Sequence, residues 1–259
     1  MYPHPEFTMV ILKSEREIEK IRASSQIVAR TLAYLEQFIV AGVSTQELND
    51  RADSYIRQQG AIPSSLNYRG FPKSICTSIN EVIVHGIPGP QTLKNGDIIT
   101  VDITAFKDGY HGDSARTYMV GNVSKIARKL VKVTERSLEL GIEQAKEGNK
   151  LGDIGHAIET YITHEGFHTV RDFTGHGIGR GFHEAPQVLH YGQAGTGMTI
   201  KRGMVFTIEP MINVGTHRVK ILKDKWTAVT QDGSLAAQFE HTIAITARGT
   251  EVLSKMEPE

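Results

Sequence analysis

Cysteine is almost missing from this chain of 259 residues, with Cys76 the only one. A single thiol excludes an intramolecular disulfide and a structural zinc site built from several cysteines, and it fits a reducing compartment. Also missing is any run of about 18 apolar residues, the length a membrane-spanning helix needs. The opening octet MYPHPEFT has neither a basic start nor an apolar stretch, so no secretory signal is expected and the expected location is cytoplasmic. Neither sign of charge prevails: Lys plus Arg and Asp plus Glu both number 29. The molecule as a whole therefore has no field to draw it to DNA or to an anionic membrane. With 39% hydrophobic and 22% charged residues, the composition excludes a disordered or fibrous chain and leaves a globular one.

Ser14 followed by Glu17 is a capping-box pattern, and Ile18, Ile21, Val28, Leu32, Leu35 and Ile39 then recur at helical spacing. This first helix should end before Gly42. A second is expected from Ser44 to Gly60, a third from Ser124 towards Gly148, and a fourth between Gly152 and Gly166. Shifting the chain over itself by 106 residues lays Gly42 on Gly148, Tyr55 on Tyr161 and Gly60 on Gly166. A shift of 107 lays KNGDIITVD, ending at Asp102, on KRGMVFTIE, ending at Glu209. The chain thus reads as two related halves, each closing a strand on a carboxylate. The expected fold class is α+β, with helices backing a curved, mostly antiparallel sheet. Residues 1–10 are expected to be an N-terminal leader, ordered or not, ahead of one domain over 11–259; whether residues 1–8 precede an internal start at Met9 is left open by the sequence.

Residues 97–121, DIITVDITAFKDGYHGDSARTYMVG, form two apolar-rich runs around an Asp-Gly turn, which signals a hairpin. With a two-residue loop Asp113 faces Thr104, one step along from Asp102; with a four-residue loop the two aspartates are directly opposite. Either way both carboxylates share a face, a costly arrangement unless a cation relieves it. Glu209 closes the apolar strand MVFTIEP, and Glu240 interrupts AAQFEHTIAI. His176 sits among glycines that let the backbone bring its imidazole close to other strands. Taken singly, each has an ordinary alternative: a solvated turn acid, a salt-bridged acid, a loop histidine. Taken together, four carboxylates and one imidazole suit two divalent ions and hydrolytic chemistry.

Two further patterns are weaker. His164-Glu165-Gly166-Phe167-His168 matches the H-E-x-x-H zincin motif, but Gly166 falls where the repeat ends a helix, so the imidazoles should not share a helical face. Glycines 175, 177, 179 and 181 alternate in a way that matches neither a dinucleotide fingerprint nor a P-loop.

The segments SINEVIVHGIPG, GDIITVDITAFKDGYHGDSART, TGHGIGRGFHEAPQV, FTIEPM and FEHTIAIT resemble, in order and spacing, the bacterial-type type I methionine aminopeptidases, from about Ile11 to Leu253. The resemblance implies a pita-bread fold of two pseudo-symmetric halves and a monomer. It implies two divalent ions, Mn, Fe, Co or Zn, with Asp102 on one, His176 and Glu209 on the other, and Asp113 and Glu240 bridging. A hydroxide between them would attack, Glu209 would shuttle the proton, His85 would contact the scissile amide, and His183 would steady the oxyanion. Tyr68, Phe71, Cys76, Phe182 and Trp226, with both histidines, would bind the substrate; without the resemblance these aromatics read as core and Cys76 as an inert apolar residue. Ser65 and Phe71 stand where related enzymes can carry cysteine and tyrosine, so pocket polarity is open. Substrates would be nascent chains with a small second residue; at the ribosome, where such an enzyme would need to work, Lys201, Arg202, Arg218, Lys220, Lys223 and Lys225 could touch RNA or simply stay solvated. The rivals are a proline-specific aminopeptidase of the same fold and a pita-bread binding protein without catalysis.

Overall fold

The structure, a computed structural model, describes residues 9–256. Polar caps set where its helices begin. Ser14 donates from its backbone N–H and its hydroxyl to Glu17 Oε2 at 3.0 and 2.8 Å, and α1 runs Glu15–Glu36. Ser44 Oγ accepts from Glu47 N at 3.1 Å at the head of α2 (Thr45–Gln58). The strands of this half are β1 (Ile62–Pro63), β2 (Ile75–Ile79), β3 (Val82–Val84), β4 (Ile98–Lys107) and β5 (Tyr110–Met119). Ser124 Oγ accepts from Ala127 N at 3.2 Å and opens α3 (Lys125–Gln144), which is followed by α4 (Leu151–His164).

The strands of the second half are short: β6 (His168–Thr169), β7 (Gly175–Gly177), β8 (Glu184–Val188), β9 (Val205–Ile208) and β10 (Met211–Asn213). They continue with β11 (Val219–Ile221), β12 (Ala228–Thr230), β13 (Ala236–Gln238), β14 (His241–Thr246) and β15 (Gly249–Val252). Every strand pairing among the described residues is antiparallel, distributed over four sheets. Helices α1 and α2 cover β2 and β4 through a core that includes Val28, Leu35, Leu48, Ile56, Ile75 and Ile99, while α3 and α4 cover β9 and β14 through Leu130, Ile154, Ile158, Phe206 and Ile243. Each such side chain, taken wholly out of water, contributes about 1.5–3 kcal/mol.

The internal repeat is structural. Gly42 and Gly148 have φ of 96° and 93°, Gly60 and Gly166 70° and 81°, and Gly96 and Gly203 100° and 87°. Gly42 N bonds Leu93 O at 2.8 Å as Gly148 N bonds Ile200 O at 3.0 Å, and Leu93 N returns to Val43 O as Ile200 N returns to Asn149 O. Even the isolated bridges correspond, Ser44 with Thr92 and Lys150 with Thr199. Equal backbone solutions at equal offsets are what duplicated local sequence produces.

The hairpin takes the shorter of its two possible loops. Asp108 and Gly109 have φ of 50° and 85°, the signature of a two-residue turn matched to strand twist, and Asp113 pairs with Thr104 while Asp102 pairs with Ala115. AAQFEHTIAI divides into β13 and β14 rather than forming one strand, because Glu240 turns its N–H to Ala115 O of β5 at 2.8 Å. His164 ends α4 while His168 lies in β6, with Gly166 at φ 81° between them, which removes the zincin geometry. Of the expected leader, residues 1–8 lie outside the described residues, and Val10 packs against the second-half core. Among the described residues no helix is long and apolar enough to cross a membrane.

Candidate metal centre

Four strand systems deliver the five candidate ligands to one place. Asp102 and Asp113 come from neighbouring arms of the β4–β5 hairpin and His176 from the middle of β7. Glu209 follows β9 and Glu240 precedes β14; Ile208 pairs with His241 and Met211 with Gln238, so the two glutamates face each other where the chain passes between sheets. The halves are joined here by Thr242, whose hydroxyl donates to Asp113 O at 2.8 Å and accepts from Asp113 N at 3.2 Å.

Ligand atoms of Asp113, His176 and Glu240 all lie within 4.8 Å of one another. His176 Nδ1 donates to Gly177 O at 2.9 Å, which turns Nε2 towards the acids, 3.5 Å from Asp113 Oδ2 and 3.7 Å from Glu209 Oε1. Glu209 Oε1 also accepts from Thr207 Oγ1 at 2.8 Å. Asp102 borders the same cavity.

Burial raises the pKa of all four carboxyls. For Asp102 and Glu240, burial comes first and the charges of the neighbouring acids push further upward. Glu209 is pushed up to about 7 by burial, against the pull of His176 and the Thr207 hydrogen bond. His176 is itself held above its ordinary value: burial lowers it, but the hydrogen bond to Asp113 and the charges of Glu209 and Asp113 outweigh burial. Asp113 Oδ1 and Glu240 Oε1 are buried with no hydrogen-bond partner among the described residues. Unpaired buried acceptors of this kind are rare and costly. Divalent cations would satisfy them, offset the acids' mutual repulsion and accept the imidazole as a ligand, so the donor set fits such ions, with Mn, Fe, Co and Zn all compatible.

Beside the acids lies a cavity of about 380 Å³ whose lining includes Tyr68, Phe71, Cys76, His85, Phe182, His183 and Trp226, as well as the five candidate ligands. Phe71 meets Trp226 edge-on at 5.2 Å between centroids, and Tyr68 stacks on His183 at 5.2 Å and tilts against Phe182 at 4.8 Å. His183 lies 4.1 Å from the His176 ring. Burial pushes His85 down to about 4, leaving it neutral, and pushes the Cys76 thiol well up, which disqualifies it as a nucleophile at neutral pH. Ser65 directs its hydroxyl to Thr104 Oγ1 at 2.9 Å, so at that position the hydroxyl is already satisfied.

Phe173, Met211, Val219 and Ile221 also line the cavity, and none stands out in the sequence. Phe173 meets His85 edge-on at 5.4 Å; its only local signal is its closeness to the TGHG run. His190, wholly buried, accepts the backbone N–H of Glu209, and no periodicity links the two positions.

Comparison with known proteins agrees with this geometry. The family model of metallopeptidase family M24 matches residues 19–247. The chain is 56% identical over 246 residues to methionine aminopeptidase A of Synechocystis sp., covering 95% of this chain and 97% of that one. It is 51% identical to methionine aminopeptidase 1 of Bacillus subtilis, over 96% and 100% of the respective chains. The crystal structure of methionine aminopeptidase from Rickettsia prowazekii superposes with a TM-score of 0.94 at 48% identity, covering 95% of this chain and all of that one. The pita-bread fold implied by the sequence is therefore present, and the chain belongs to metallopeptidase family M24, among the type I methionine aminopeptidases.

Proposed function

We propose that the protein removes N-terminal methionine from nascent proteins and peptides with a small second residue, using two divalent cations. The observation that carries this reading is the convergence of Asp102, Asp113, His176, Glu209 and Glu240 on one end of an apolar cavity, with buried carboxylate oxygens that lack partners. Asp102 would hold one cation, His176 and Glu209 the other, and Asp113 and Glu240 would bridge the two. Such ions supply Lewis acidity, activating water near neutral pH and polarising a carbonyl.

The chain's own groups supply the rest. Glu209 takes a proton from the attacking water and returns it to the leaving amine, the task of a general base and acid. His85, neutral and half-buried, offers a ring N–H to the scissile amide, and His183 steadies charge developing on the carbonyl oxygen. Tyr68, Phe71, Cys76, Phe182 and Trp226 enclose a flexible, polarizable thioether side chain, which suits aromatic surfaces better than a branched one would.

The test is release of free methionine from a Met-Ala-Ser peptide by chelator-stripped protein reloaded with Mn, Fe, Co or Zn, alongside elemental analysis of protein purified without chelator. Release with at least one metal and none without is expected. Inactivity with every metal would instead indicate a binding protein of this fold.

A further inference from the structure

The alternating glycines of TGHGIGRGFHE match no phosphate-binding pattern, and the proposed reaction does not account for them. Their surroundings do. A Cβ at Gly177 would lie 2.0 Å from Ala185 O; at Gly179 it would lie 2.6 Å from Lys13 Cε and 2.7 Å from Lys13 Nζ; at Gly181 it would lie 3.0 Å from Glu184 Cγ. Gly177 is thus closed off by the β8 backbone, while Gly179 and Gly181 are packed around one ion pair. Lys13 Nζ bonds Glu184 Oε2 at 2.5 Å, with side chains only 3% and 11% exposed. Glu184 Oε1 accepts the N–H of Gly181 at 2.7 Å. Lys13 is fixed in turn by its own N–H, which donates to Gly203 O at 2.6 Å.

Residues 178–183 form no regular element between β7 and β8, yet they carry Phe182 and His183 into the cavity. Its backbone ties to neighbouring strands are isolated and lie at its start, Ile178 N to Val205 O at 3.2 Å and His111 N to Gly179 O at 2.8 Å. A buried ion pair is a poor source of net stability, because removing two charges from water costs about what their attraction returns. It does impose geometry, since any displacement leaves a charge buried and unpaired. Glu184 borders the cavity, but one of its oxygens is committed to Lys13 and the other to Gly181, which makes it a support rather than a substrate ligand.

We propose that Lys13 and Glu184 are positioning residues that clamp the 178–183 loop, so that a residue ahead of the first helix sets where His183 and Phe182 stand against the substrate. The proposal rests on the methionine-releasing role given above for His183. Because His183 would act on charge that exists only in the transition state, the clamp should influence kcat far more than KM.

The experiment uses the full chain loaded with Mn, comparing wild type, Lys13→Met, Lys13→Arg and Glu184→Gln. Kinetics on Met-Ala-Ser would be measured together with amide hydrogen exchange by mass spectrometry and calorimetric Mn binding. In Lys13→Met, kcat should fall about 10- to 100-fold with KM changed less than about threefold, as misplacement of a catalytic group does. Exchange should accelerate within 178–184 while α1–α4 and Mn affinity stay as in wild type. Lys13→Arg should recover most of kcat, and Glu184→Gln should reproduce the loosened loop. Wild-type kcat in Lys13→Met, or unchanged exchange in 178–184, would overturn the clamp, as would exchange that rises uniformly over the chain. Should the wild type itself release no methionine, the functional reading fails, while the exchange data still decide whether the pair holds the loop.

Discussion

His190 accepts the backbone N–H of Glu209 through Nε2 at 3.0 Å, and its side chain is wholly buried. A ring that accepts through Nε2 must carry its proton on Nδ1, so the folded state selects neutral imidazole, and burial pushes its pKa down to about 3. In the unfolded chain the ring titrates near its ordinary value of 6.5. Its contribution to stability is therefore complete above that value and is lost as pH falls from 6.5 towards 3, where the unfolded state binds a proton that the folded state refuses.

That loss is about 1.4 kcal/mol per pH unit for one group. Urea denaturation of metal-free protein at pH 7.5 and pH 5.0 should show wild type losing about 1–2 kcal/mol more than His190→Gln over the interval. Equal losses would show that His190 is protonated in the fold. His190→Leu, which leaves the Glu209 amide buried without an acceptor, should cost about 1–3 kcal/mol at either pH.

Cation removal should act with the opposite pH sign. In the metal-free fold the carboxyl pKa values of Asp102, Asp113, Glu209 and Glu240 are raised by burial, with repulsion from neighbouring acids adding to it at Asp102, Glu209 and Glu240. The folded state then holds protons that the unfolded state has released, so these groups subtract stability increasingly as pH rises above the ordinary carboxylate range. Melting curves at pH 8 should place chelated protein about 5–10 °C below Mn-loaded protein, and the gap should shrink towards pH 5. A gap that widens in acid would contradict a carboxylate-held cation site.

Glu209→Gln preserves shape and the Thr207 hydrogen bond but removes a negative charge and a proton carrier. Turnover is expected to fall about 10²- to 10⁴-fold with secondary structure unchanged. Steady-state kinetics after saturating metal addition checks this, and near-wild-type turnover would remove Glu209 from the proton path.

Trp226 forms one aromatic wall of the cavity against Phe71 and His85. Trp226→Ala should weaken discrimination between Met-Ala-Ser and Leu-Ala-Ser by about 10-fold or more, the worth of a few apolar contacts. An unchanged preference would place side-chain recognition elsewhere.

Local chemistry made a large part of this legible before any coordinates. The caps at Ser14, Ser44 and Ser124 and the Asp108-Gly109 turn are decided within a few residues of chain, and so is the repeat seen in the paired glycines. The hairpin alone put Asp102 and Asp113 on one face, because strand side chains alternate with period two. The halving of AAQFEHTIAI was not legible, since its bend answers to Ala115, a residue remote in sequence.

Sequence alone determined which side chains were chemically costly if buried: Glu209 and Glu240 in segments that otherwise read as core, and Asp102 and Asp113 on one hairpin face. It also determined the two-fold plan, and through its ordered motifs the family. Only the tertiary structure decided that Glu209 faces Glu240 across a sheet junction, that His190 holds the Glu209 amide, and that Lys13 reaches Glu184 beneath the His183 loop. Periodicity and turn chemistry act over a few residues of chain, whereas these contacts arise only when surfaces far apart in sequence exclude water together.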